Sequence, residues 1–160
     1  MTHSIVFADY NNEQHSRDLI KLLDLYSQDP MGGGEPLSQH AKQNLISELK
    51  ANSRAFSILC YKDSVACGFI NCFIGFSTFK CAPLVNIHDV YVLETERGQG
   101  LCKIMLNKAE DKAKQLGCCK LTLEVLENNH AAKATYKSFG FSGYELAPKA
   151  GSAHFWQKFI

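Results

Sequence analysis

No apolar run of membrane-spanning length occurs in this sequence. The longest apolar stretch, residues 65–79, is interrupted by Cys67, Gly68, Asn71 and Gly75 and is both too short and too polar to cross a bilayer. Residues 1–9 lack the basic start and apolar run of a secretory signal, so a cytoplasmic protein is expected. An excess of one charge is missing too. Seventeen Lys and Arg stand against 16 Asp and Glu, a formal net charge of +1, which excludes an extended basic surface and an acidic solvating tail. Neither nucleic acid nor a membrane is therefore an expected partner. The cysteines, an odd seven, have no C-x-x-C or paired-His spacing. No metal site is expected, and Cys60, Cys67, Cys72 and Cys119 read as reduced thiols buried in strands.

Apolar residues make up 46% and charged residues 21% of the 160-residue chain, an ordinary globular composition. A chain of this size buries roughly 70% of its unfolded surface in one core. No repeat, linker or low-complexity stretch divides it, so a single domain over residues 1–160 is expected.

Residues 4–8 read as a strand, and residues 12–28 carry Leu19, Ile20, Leu22, Leu23 and Tyr26 at the spacing of a helix face. Asp29, Pro30, the run Gly32, Gly33 and Gly34, then Glu35 and Pro36, break the pattern and predict a mobile or specially shaped loop. A helix over 38–51 follows. Strands over 54–61 and 64–79 form an antiparallel hairpin about a turn at Lys62 and Asp63, the second strand bending at Gly75. Residues 84–93, 100–116 and 119–126 read as strand, helix and strand, a βαβ crossover whose two strands run parallel. Gly117 ends the crossover helix. A short helix over 129–139 stops at Gly140, and residues 141–146 and 152–159 form a closing hairpin. The fold class is mixed α/β.

Arg97-Gly98-Gln99-Gly100 lies where the first crossover strand meets its helix, so unpaired backbone N–H groups and the positive end of the helix dipole converge there. Such a loop binds phosphate, with Arg97 able to add a charge-assisted contact. Glycines that only make a tight turn are the bland alternative. A P-loop is excluded because no Gly-Lys-Ser/Thr follows, and a Rossmann loop because Lys103 stands at the third glycine position. On the second parallel strand, alternation puts Glu124 with Lys120 and Thr122, away from Leu121, Leu123 and Val125. Tyr136 shares a helix face with Ala132 and Phe139. A salt-bridged Glu and a core Tyr are the structural alternatives. Asn86, His88 and Asp89 are polar residues in an apolar strand, which either faces a cleft or holds one satisfied buried network.

Asp89-Val90-Tyr91-Val92 before Arg97-Gly98-Gln99-Gly100-Leu101-Cys102 resembles the R-x-x-G-x-G/A signature of the Gcn5-related N-acetyltransferases, the GNAT family. Leu123-Glu124-Val125, Asn129, Ala132, Tyr136 and Gly140-Phe141 resemble its second series. The departure is Cys102, where the family usually has Gly or Ala. The resemblance implies an acyl-CoA N-acyltransferase fold, a mostly antiparallel sheet with one parallel pair that splays apart. It implies acetyl-CoA as cosubstrate and a primary amine as acceptor; direct attack in a ternary complex is expected, because no cysteine has an evident base beside it for a covalent route. Backbone around Val90, Tyr91 and Val92 would hold the pantetheine arm, and the amides of residues 97–102 the pyrophosphate. Asn129 would hold the pantetheine or cap its helix, and Tyr136 would point at the thioester sulfur. Glu124 and Tyr136 are spaced like the base and acid of the ribosomal-protein alanine acetyltransferases. His88 is the rival base. Asp29 or Glu35 would attract a cationic amine, and homodimers are common in the family. The competing readings are a non-catalytic CoA-binding module and a nucleotide-binding enzyme.

Overall fold

The computed structural model describes residues 3–144, 149 and 151–160. They divide into two compact units, Met1–Leu126 and Glu127–Ile160, taken separately below.

The first unit is a sheet of five strands in the order β1 (His3–Phe7), β2 (Ala55–Lys62), β3 (Val65–Ser77), β4 (Ala82–Val92) and β5 (Leu121–Leu123). Every neighbouring pair is antiparallel except β4 with β5, which is parallel as the crossover requires. Helices α1 (Glu13–Gln28) and α2 (Gln39–Ala51) begin where short polar side chains can accept first-turn amides. Asn12 accepts from the N–H groups of Gln14 and His15, and Ser38 from that of Ala41. The turn between β2 and β3 uses Asp63 and Ser64 with φ of 47° and 69°, the left-handed pair of a tight hairpin.

Leu19, Leu22, Leu49, Leu59, Tyr61 and Phe69 form one buried cluster between α1, α2 and the sheet, with Phe73 and Tyr91 packed on it. Tyr26 of α1 meets the rings of Phe69 and Tyr91 at 6.3 and 5.7 Å. The crossover helix α3 (Leu101–Gln115) covers the other face with Met105, Leu106 and Ala109, all fully buried. The two faces together give the three-layer arrangement that an amphipathic helix on each side of a sheet produces.

Two irregularities matter. In the β3–β4 ladder Asn71 pairs with Asp89 and Cys72 with Ile87, which leaves His88 as an extra residue on β4. A bulge of this kind bends and twists its strand. The β4–β5 ladder ends at the same place, at Ile87 with Leu123, while β4 continues to Val92. The two parallel strands thus part after three paired residues.

Several sequence expectations shift. The strand expected over 119–126 shrinks to Leu121–Leu123, because the bend of β4 removes the partner beyond Ile87. Glu124 lies past its end, and β5 is the edge of the sheet among the described residues. Cys119 lies in a bend before the ladder and is exposed, whereas Cys60, Cys67 and Cys72 are buried as free thiols. The strand does not break register at Gly75, which pairs with Leu84; the bulges fall at Cys67 and His88.

The second unit holds α4 (His130–Phe139), which Asn129 opens by accepting from the Ala132 N–H at 3.1 Å. Gly140 and Phe141 both donate to the Tyr136 carbonyl as the helix ends. Of the expected closing hairpin, residues 145–148 and 150 lie outside the described residues. Residues 141–144 and 153–160 carry no strand, and Phe155, Trp156 and Phe159 are exposed. Among the described residues no helix is long and apolar enough to cross a membrane.

Candidate active site

The end of β4 and the loop after it carry the expected phosphate site. Leu93 N–H donates to the Cys67 carbonyl, so the backbone of Tyr91 bonds toward β3 by alternation, and that of Val90 and Val92 turns away from it. That outward edge is the one β5 leaves after Ile87. A short 3-10 turn, Glu94–Glu96, follows and lifts the chain into the glycine loop.

Gly98 and Gly100 have φ of 79° and 76°, and Gly100 is the N-cap of α3 with no side chain bonded to the first turn. The first-turn N–H groups of Leu101, Cys102 and Lys103 have no partner within the helix and point, with the positive dipole end, toward the loop. A Cβ on either glycine would meet nothing within 4 Å. Glycine is needed here for its left-handed backbone and not for room. Leu101 is buried and pins the helix start, and burial pushes the Cys102 thiol up to about 11.

Both long side chains of the loop are turned back onto the protein. Gln99 Nε2 donates to Glu96 Oε2, which also accepts from Lys62 Nζ. Arg97 Nε donates to the Val92 carbonyl at 3.1 Å, and Nη2 to Asp29 Oδ2 at 2.9 Å, with the guanidinium 5.6 Å from the centre of the Tyr91 ring. An anion at this loop meets backbone amides first.

The polar residues of β4 separate into two groups. Asn86 donates to Thr122 Oγ1 across the parallel pair. The bulge lets His88 and Asp89 share one face: His88 is exposed and stands edge-on to Phe73, 5.4 Å between centroids, while Asp89 Oδ2 accepts from Asn71 Nδ2 at 2.9 Å. Asn71 Oδ1 accepts from Ser57 Oγ, which meets the Tyr10 hydroxyl at 2.8 Å. Ser57, Asn71 and Asp89 are register partners on β2, β3 and β4, so a polar row crosses three strands beneath the helical layer. Asn86 and Asp89 are thus tied into hydrogen-bonded networks, while His88 is exposed. Burial is the main cause, and the Asp89 charge a second one, of a Cys72 thiol pushed up to about 12. The row escaped the sequence reading, although Ser57 and Asn71, lone polar residues in apolar strands, were its signal.

Glu124 is exposed beyond β5, and no described residue forms an ion pair with it. In the second unit Tyr136 is the buried residue of α4, with its ring 6.0 Å from that of Phe141. Asn129 is seen in its capping role. Among the described residues no group of His, Cys, Asp and Glu could hold a metal ion.

Across the glycine-rich turn of α1–α2, Asp29 is a hub. Its carbonyl accepts from the N–H groups of Gly32, Gly33 and Gly34, and its Oδ1 from that of Met31. The Met31 N–H bond, then Arg97, hold its carboxyl below the usual carboxylate range despite partial burial. Asp24 closes the far end, accepting from Leu37 N–H and Lys42 Nζ, both at 2.9 Å. The loop is specially shaped: a Cβ at Gly32 would overlap the Tyr26 carbonyl.

The model of the Acetyltransferase (GNAT) family matches residues 19–141 of the chain. The aminoglycoside N(6')-acetyltransferase type 1 of Acinetobacter haemolyticus is 27% identical over 103 residues, covering 62% of this chain and 71% of that protein. The thialysine N-epsilon-acetyltransferase of Bos taurus is 34% identical over 68 residues, 42% of this chain and 39% of that protein. In fold, the chain is similar to AAC(6')-Iy solved in complex with the bisubstrate analogue CoA-S-monomethyl-acetylneamine. The TM-score is 0.78 at 17% identity, with 100% of both chains covered.

Proposed function

This chain belongs to the acetyltransferase (GNAT) family and is an acetyl-CoA-dependent N-acetyltransferase, and on that premise we propose that it acetylates a small-molecule primary amine by direct attack in a ternary complex. The observation that carries the reading is the outward edge of β4 after the bulge at His88. It turns backbone donors and acceptors of Val90 and Val92 away from β3 and leads into left-handed glycines at the start of α3. An amide-bearing pantetheine arm adds to such an edge as a strand does, and a diphosphate suits the amides at 98–103. Residues 1–160 act as one transferase domain in the cytoplasm.

The chemistry asks for a base and an acid. An alkylammonium with a pKa near about 10.4 must lose a proton before attack, and a thiolate with a pKa of about 8.5 gains one on leaving. Glu124 takes the first through water, with His88 the rival base, and Tyr136 gives the second. Direct attack without a covalent acyl-enzyme is the expected route, since no cysteine has an evident base beside it, and burial pushes the thiols of Cys60, Cys72 and Cys102 up. Glu35, exposed on the glycine-rich loop, attracts the cationic acceptor. The two relatives act on an aminoglycoside and on thialysine, both amines by name, which supports a small-molecule acceptor.

The test is release of free CoA thiol from acetyl-CoA against a panel containing thialysine, neamine and a polyamine. Amine-dependent thiol release with an acetylated product in the mass spectrum is expected for at least one. Tight CoA binding with no amine-dependent release would make the chain a CoA-binding module instead.

A further inference from the structure

The family pattern makes Arg97 a candidate phosphate ligand, yet its guanidinium is committed elsewhere. Nε holds the Val92 carbonyl, Nη2 holds Asp29 Oδ2, and the plane lies near the Tyr91 ring. These three partners sit at the end of β4 and at the hub of the α1–α2 loop. Asp29 in turn holds the loop at both ends of the residue: its carboxylate accepts from Met31 N–H, and its main-chain carbonyl from the N–H groups of Gly32, Gly33 and Gly34. One guanidinium therefore joins the strand proposed to carry the pantetheine to the loop proposed to face the acceptor. The carbonyl and the carboxylate are held from two different nitrogens of one planar guanidinium, Nε and Nη2, a fixed spread of donors that the single nitrogen of an ammonium does not reproduce.

We propose that Arg97 is a positioning residue, which sets the acceptor-side loop against the end of β4 through Asp29, and that the pyrophosphate is held by backbone amides without it. The inference rests on the reading of the two sides of the site given above. It separates two functions that a motif reading merges: the glycines of the Arg97–Gly100 loop serve the cofactor, and its arginine serves the acceptor. Substitution at Asp29, 68 residues away in sequence, should then copy substitution at Arg97.

The experiment compares the wild type with Asp29→Asn, Arg97→Lys, Arg97→Ala and the Asp29→Asn/Arg97→Ala double variant. Calorimetry gives the CoA dissociation constant, steady-state kinetics gives KM and kcat for whichever amine of the panel is turned over, and hydrogen exchange follows the amides of residues 31–35. Each single variant should raise the amine KM by about fivefold, the equivalent of one partly exposed ion pair, with CoA affinity kept within about twofold. The double variant should be no worse than Arg97→Ala alone, since both changes break one contact. Faster exchange at residues 31–35 is expected in all of them, a result independent of any turnover. Loss of CoA affinity by tenfold or more in Arg97→Ala, with Arg97→Lys and Asp29→Asn normal, would overturn the proposal in favour of a phosphate ligand. Unchanged exchange in the loop would overturn it as well. If no amine of the panel, the polyamine included, is turned over by the wild type, the proposed function fails, while the exchange and calorimetry still decide whether Arg97 ties the loop.

Discussion

Gly100→Val is the sharpest probe of the pyrophosphate loop. At φ of 76° the residue sits in a region where a Cβ crowds the backbone, and a β-branched side chain is worse than alanine there. Strain of about 1–2 kcal/mol is expected, and a chain of this length loses about 2–4 °C of Tm for each kcal/mol. The loss stops there, because the added Cβ meets no atom within 4 Å and the Ile104 N–H bond to the Gly100 carbonyl can persist. Cofactor binding is hit harder. Relaxing the strain rotates the peptide at 100–101 and misaims an amide that would donate to a diphosphate; a hydrogen bond to a charged group is worth about 1.5–3 kcal/mol. The CoA dissociation constant should rise by about tenfold to a hundredfold, in a protein whose circular dichroism is unchanged and whose Tm falls only by about 2–8 °C. Calorimetric titration with CoA is the assay. A folded Gly100→Val protein that binds CoA as the wild type does would refute the assignment of this loop.

Tyr136→Phe should lower kcat by about 10² to 10⁴ with CoA affinity little changed, whereas near-normal turnover with a lowered Tm would make the tyrosine a packing residue. Glu124→Gln should cost most activity at low pH and recover as pH rises; an equal loss at every pH would transfer the base to His88. Asn71→Leu keeps the volume but strips Asp89 of its amide donor and Ser57 of its acceptor, a cost of about 2 kcal/mol measurable in urea denaturation. A variant as stable as the wild type would show the row to be dispensable. Asp24, whose carboxyl the Lys42 ammonium holds below the ordinary carboxylate range, contributes stability that is full above the unfolded value and lost as pH falls through the lower folded one. Asp24→Asn should therefore flatten the acid limb of Tm against pH, and an unchanged limb would show the pair to be inert.

Helix starts were legible because the physics is local. Asn12 and Ser38 mark them in the sequence, and both side chains accept the amides that a helix start leaves open. The parallel pair was legible for a topological reason, since a strand, a helix and a strand of these lengths can close only one way. The alternation of Leu121, Leu123 and Val125 ran on past Leu123, however, and gave no sign that the partner strand bends away. Where a strand stops depends on its neighbour, and the bulge at His88 lies 36 residues from Glu124 in the sequence. The loop glycines were read correctly as backbone devices, but the commitment of Arg97 to Asp29 was hidden, because an ion pair across that separation leaves no periodic trace. Of the hairpin expected at the C-terminal end, residues 145–148 and 150 lie outside the described residues, and the strand propensity of Phe155, Trp156 and Phe159 did not make a strand of 153–160.

The extra residue of β4 is also a phase shifter. Before it, Val85 and Ile87 are the buried side of the strand; after it, Tyr91 turns to Tyr26 of α1 and Val92 lies beside Met105 of α3 near Gly68. Removing any ordinary residue of this strand would exchange the two faces of everything downstream, sending valines to the polar row and Asp89 and Tyr91 into the apolar layer under α3. Removing His88 alone leaves the phase of Ile87, Asp89, Val90, Tyr91 and Val92 as it stands. The strand thus contains one position at which its length can vary without a frameshift of its side chains. That position presents its side chain on the same face as Asp89 and so can gain, lose or exchange a functional group without disturbing the edge that leads into the glycine loop.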